Sequence, residues 1–168
     1  MPSFTKPDFP KLTDKLREDL RTITPSMDSD LTYWPCAARM RNGTVLLCVY
    51  VVPEGPYIKH WGVYPQQDCG KSHISLSDVD ALANSPNRLP ARFANKLYKS
   101  GESGMGYTVF TVVFADGSRQ AYGTGNAVDF IRYPEGKSQN DVIDVLPHEG
   151  RSAELARGPE YYWCLFSD

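Results

Sequence analysis

Three glycines in six positions, Gly-Glu-Ser-Gly-Met-Gly at residues 101–106, set a hydroxyl and a carboxylate on a backbone that other groups can approach closely. Three chemistries can be tested on such a stretch. A hydrolase elbow needs Gly-x-Ser-x-Gly between a strand and a helix; the fifth residue here is Met105, and a helical pattern precedes the loop. A dinucleotide loop opens a helix, whose N-terminal amides receive phosphate, whereas these glycines close one. The ending Gly70-Lys71-Ser72 suits a phosphate loop, but Pro65 stands where its first glycine belongs. What survives is a binding surface.

Asp116-Gly117 is a strong hairpin signal, read as a two-residue turn. Ala115 then faces Ser118, which carries Gly106 opposite Ala127, Tyr107 opposite Asn126 and Thr108 opposite Gly125. Residues 101–106 therefore meet residues 123–126 at the open end of one hairpin. Unshielded N–H groups on two glycine-rich segments form a concavity suited to an anion or to another chain. The candidate ligand-binding residues are Glu102, Ser103, Gly104, Tyr107, Thr124, Gly125 and Asn126. The competing reading is architectural, with Gly123 and Gly125 marking a bulge or a tight corner.

Imidazoles and thiols supply the other candidates. His60, Cys69 and His73 follow a His-x8-Cys-x3-His spacing, residue types that suit zinc in a spacing that fits no finger or deaminase pattern. His148-Glu149 opens like a zincin motif, but Ser152 occupies the place of the second histidine. Cys69 with His73 or His148 is the thiol-enzyme alternative, a hydrolase or transferase with or without zinc. Such a nucleophile needs a positioned base. No cofactor motif is present, and none is expected.

The elements that must position these groups follow from periodicity. Leu12, Leu16, Leu20 and Ile23 recur at helical spacing among charged residues, predicting an amphipathic helix over 8–23. A meander over 36–64 follows, with a turn at Asn42-Gly43 and strands at 44–52 and 57–64. Both faces of 44–52 are apolar, as in a strand covered on both sides. In that hairpin Cys36 faces Val49, so Cys36 and Cys48 are not placed to bridge. A helical segment over 77–100, broken near Pro86, carries Ser77 and Asp80 as a capping box and ends at Gly101. A second meander spans 107–146, with a strand expected near 127–133. Tyr-Tyr-Trp-Cys-Leu-Phe at 161–166 closes the chain as a strand within 160–166.

The expected fold is one α+β domain over 1–168. It is an antiparallel sheet of six to eight strands, open or curling toward a barrel, with the N-terminal helix and the broken helix on one side. A net charge of −2, from 18 basic and 20 acidic side chains, lacks the positive field that drives nucleic-acid binding. The first residues lack a secretory layout, no apolar run approaches the roughly 20 residues that cross a bilayer, and the four cysteines are unpaired in spacing. These features lead to the expectation of a cytoplasmic protein with reduced thiols. The function expected is non-catalytic binding of a protein partner or a small anion at the glycine-lined hairpin end. Self-association through an edge at the C-terminal strand is the third reading.

Overall fold

The computed structural model describes residues 3–167. Helix α1 (Asp14–Arg21) is shorter than the apolar spacing predicts, because the Thr13 hydroxyl accepts the Leu16 N–H at 3.2 Å and starts the helix there. Leu16 and Leu20 are buried from the helix, while Leu12 and Ile23 pack from its flanks. Strand β1 (Ser26–Asp28) pairs antiparallel with β2 (Leu31–Met40), which pairs on its other side with β3 (Val45–Pro53).

The turn between β2 and β3 has three residues, not two. Met40 N–H donates to Thr44 O at 2.7 Å, Gly43 N–H donates to Met40 O at 2.9 Å, and Gly43 has φ +89°. The Asn42 side chain accepts the Thr44 N–H at 2.9 Å, so the asparagine shapes the loop through its own carbonyl. A register shift between Cys36 and Ala38 then returns Cys36 to its expected place opposite Val49. Cys48 to Val52 are buried on both faces, but Val45 and Leu47 near the turn are exposed.

Residues predicted as a third strand form helix α2 (Glu54–Trp61) instead. Pro53 takes the cap position, Glu54 sits in the positive first turn, and Gly62 closes the helix at φ +81°. Pro-Glu-Gly-Pro is thus a helix start rather than a loop. After β4 (Ser72–His73), the predicted helix around Val79 and Leu82 is strand β5 (Val79–Ala83), antiparallel to β2 with Leu82 opposite Ala38. Ser75, not Ser77, caps the 3-10 turn that precedes it. Apart from the end of that 3-10 turn, only α3 (Ala91–Ser100) is helical in the segment 77–100.

The second hairpin, β6 (Thr108–Phe114) and β7 (Arg119–Thr124), also turns on three residues, with Gly117 at φ +86° and Asp116 accepting the Ser118 N–H at 2.9 Å. Its register is one residue from the predicted one, since Thr108 faces Thr124 rather than Gly125. The reason is visible in the core, where the observed register stacks Tyr122 on Phe110 at 5.8 Å between centroids. Strand β8 (Val142–Pro147) pairs with β6, and β9 (Ala156–Arg157) runs parallel to β7. Residues 127–133 form no strand; a single bridge joins Phe130 to Arg88. Strand β10 (Tyr162–Phe166) lies between β3 and β4, parallel to both. It is internal, so the free edge expected for self-association is not at this strand.

The architecture is mixed α/β with two open, mixed sheets, rather than one antiparallel sheet curling toward a barrel. The first holds β1, β2, β3, β10 and β4, with β5 on β2; the second runs β8-β6-β7-β9. The ten strands of the described residues exceed the six to eight expected. One face of the first sheet packs on α1 through Val49, Val51, Cys164 and Phe166. Its other face is aromatic, with Tyr33, Tyr50 and Trp163 packed against Tyr57 of α2 and against Phe130. The second sheet buries Phe110, Val112 and Phe114 against Phe93 and Leu97 of α3. Among the described residues no helix is long and apolar enough to cross a membrane.

Candidate functional site

The aromatic face of the first sheet does not close completely where α2 approaches the open end of the β6–β7 hairpin. Two cavities remain there, of about 260 and 200 Å³, and both are lined by Trp61 and Asn126. Trp61, the last residue of α2 before the Gly62 cap, lines both spaces. Asn126 reaches both from the residues following β7.

The larger cavity is acidic. Asp28 at the end of β1, His60 on α2 and Glu102 of the glycine loop line it, above a floor that includes Tyr98. The His60 Nε2 lies 3.4 Å from Asp28 Oδ2. Burial holds the Asp28 carboxyl above its ordinary range, the charge of His60 opposes this, and the charge of Glu102 adds to it. Behind the floor, Tyr98 OH and Ser26 Oγ both donate to the fully buried Asp129 carboxylate, and Arg88 Nη2 donates to Ser26 Oγ at 3.1 Å. Burial raises the Asp129 carboxyl against those hydrogen bonds and the Arg88 charge. This network anchors residues 127–131, which is why they can run buried without a strand ladder.

The smaller cavity is aromatic and carries a cation. Lys71 Nζ sits 3.8 Å from the Trp61 ring centroid and donates to Tyr57 OH at 3.1 Å, with Asp68 Oδ2 at 3.9 Å. Burial pulls the Lys71 ammonium downward in pKa, with Asp68 opposing. Trp163 is 1% exposed, yet its Nε1–H has no hydrogen-bond partner among the described residues; the same holds for Trp61 Nε1 and Asn126 Oδ1. Three buried polar atoms without partners in the walls around these cavities are uncommon, each costing about 1–3 kcal/mol.

The seven candidate residues of the hairpin end divide. Glu102 lines the acidic cavity, Gly125 the aromatic one and Asn126 both. The two glycine segments do adjoin, since a Cβ on Gly125 would lie 3.9 Å from Gly106 O. Ser103, Gly104 and Tyr107 line neither cavity and instead lock a turn. The Tyr107 ring covers Gly104 so closely that a Cβ there would lie 2.3 Å from it. Ser103 Oγ accepts the Val109 N–H at 2.8 Å and lies 2.7 Å from His148 Nδ1, while His148 Nε2 lies 3.0 Å from Ser100 O. Arg151 donates to Tyr107 OH at 2.9 Å. Thr124 borders a shallow surface groove, and its hydroxyl donates to Gly125 O at 3.0 Å.

The thiol and metal candidates do not converge. Cys69 is exposed, and among the described residues no hydrogen bond joins it to His73 or His148. His60 faces Asp28 from a helix, and no three His, Cys, Asp or Glu side chains among the described residues gather as a metal would require. The other cysteines are free and buried, with burial pushing Cys48 up to about 11 and Cys164 up to about 12.

The sequence points to the hairpin side of this cleft and not to the opposite side. Trp61 is legible there only as an aromatic and Lys71 only as part of an incomplete phosphate-loop ending, and their shared position needs α2 to be a helix. Comparison with protein-family models, with curated proteins and with solved structures gave no match for this chain.

Proposed function

We propose that the protein is a non-catalytic binding module that takes a small ligand into the cleft between α2 and the open end of the β6–β7 hairpin. The observation that carries this reading is the pair of adjoining cavities that share Trp61 and Asn126, one lined by Asp28, His60 and Glu102 and the other by Lys71 among aromatic rings. A concave site with a few polar groups among aromatic walls is what a small ligand requires. Among the described residues no serine, threonine or cysteine lining either cavity is hydrogen-bonded to a histidine. The polar groups of the cleft orient and hold, as a recognition site requires.

The test uses the indole N–H signals of Trp34, Trp61 and Trp163 in a two-dimensional nitrogen–proton spectrum, with a set of small uncharged, anionic and cationic fragments. Saturable shifts of Trp61 and Trp163, with Trp34 as the unmoved internal control, are expected for some of them. A set in which no fragment moves either signal overturns the reading.

A further inference from the structure

We infer that the acidic cavity receives the ammonium group of a small amine, held by Asp28, Glu102 and the Thr108 hydroxyl. This inference rests on the binding reading above and adds the chemical class of the group bound.

Thr108 is the side chain that asks for a ligand. It opens β6 on the same strand face as Phe110 and Val112, which cluster with Leu97 of α3. Thr108 and Leu97 line the cavity together. The threonine is 3% exposed, yet its hydroxyl has no hydrogen-bond partner among the described residues. Unlike Asn126 Oδ1 and Trp61 Nε1, that hydroxyl is not sealed from all access, so it opens on the cavity that it lines. A hydroxyl both donates and accepts, and therefore leaves the charge of its partner to the groups around it.

Those groups are acidic. Among the described residues no lysine or arginine lines this cavity, while Asp28 and Glu102 both do. Glu102 spends one oxygen on the Gly106 N–H at 3.2 Å and forms no ion pair among the described residues. Asp28 has one neighbour of opposite sign, His60, which is charged only when protonated and stands at 3.4 Å, longer than an ordinary hydrogen bond. Two carboxylates facing one partly buried space repel, and the Glu102 charge acts on Asp28 in that sense. An ammonium relieves the repulsion and carries three N–H donors, enough for both carboxylates and the hydroxyl. A metal ion matches less well, since no three His, Cys, Asp or Glu side chains among the described residues gather as ligands. Trp61, Leu97 and Val128 offer apolar surface to the carbon body, and a space of about 260 Å³ keeps that body small.

The experiment titrates n-butylamine, n-butanol and butyrate, which share a chain and differ in the polar end, at neutral pH. The Thr108 amide and Trp61 indole signals report binding. Butylamine is expected to move both saturably and to bind roughly tenfold more tightly than butanol, with butyrate weakest. Asp28→Asn should weaken butylamine roughly tenfold, and Glu102→Gln less, about threefold, because an exposed charge is screened. Thr108→Val, which keeps the shape and removes the hydroxyl, should cost about threefold, and Thr108→Ser should restore it. Circular dichroism and the melting temperature of each variant establish that it is folded. For an Asp28→Asn that fails to fold, the butylamine-to-butanol ratio in the unmodified protein decides alone. Butanol or butyrate binding as tightly as butylamine would overturn the ammonium assignment while leaving the cleft as a binding site. Folded Asp28→Asn and Thr108→Val variants that bind butylamine like the parent would do the same. Silence from all three probes overturns the assignment, and the broader fragment set then decides the cleft.

Discussion

Gly104 and Gly125 sit a few residues from the two ends of one hairpin, yet they are glycine for different reasons. Gly104 lies under the Tyr107 ring, where a methyl group would overlap ring atoms at 2.3–2.4 Å. Gly125 has its nearest prospective neighbours at 3.7 and 3.9 Å, which is ordinary contact. Gly104→Ala must push the tyrosine away and disturb the Arg151 bond to its hydroxyl. It is expected to cost about 1–3 kcal/mol in chemical denaturation. Gly125→Ala is expected to stay within about 0.5 kcal/mol of the parent and to weaken ligand entry at the aromatic cavity. The reverse order of the two stabilities would contradict this account. One glycine therefore belongs to the fold and the other to the cleft, a division that the repeated Gly letters alone do not carry.

At the scale of elements, β10 matters most. Its pairings with β3 and β4, and the burial of Trp163, Cys164 and Leu165 on both of its faces, make it a central strand. Removing residues 161–168 should abolish cooperative unfolding rather than dissociate an oligomer, as read by thermal denaturation together with light scattering. A truncated chain that stays folded would show that the strand is dispensable. Apolar runs identified β3, β6 and β10 as strands, and helical spacing identified α3, because burial leaves that imprint locally. Partner choice leaves none, so the parallel insertion of β10 was not legible. Both turns were located by their Asn-Gly and Asp-Gly pairs, but the same letters serve two- and three-residue loops, and only cross-strand packing such as Phe110 on Tyr122 selects between them. Helix α2 was missed because Pro and Gly punctuate loops and helix starts alike. Half of the cleft went with it.

For the molecule as a whole, the acidic cavity couples stability to pH. The native state holds the Asp28 proton more tightly than the unfolded chain, whose carboxyl titrates near 3.8. A raised carboxyl pKa favours folding at low pH, and that contribution fades as pH rises through the folded-state value. Asp28→Asn removes this dependence. The melting temperature of the variant relative to the parent should therefore climb between pH 4 and pH 7, with His60 and Glu102, the groups that face Asp28, left in place. A flat or falling difference would mean that the contact with His60 outweighs the burial of the carboxylate. The placement of β10 has a consequence for how the chain comes into being. Both hairpins close between neighbours, whereas β3 must wait for a segment made at the far end of the chain. Throughout that interval a nascent chain carries a strongly apolar ribbon with one edge open, and that interval is when a chaperone has the most to grip and a second chain the best chance to intrude.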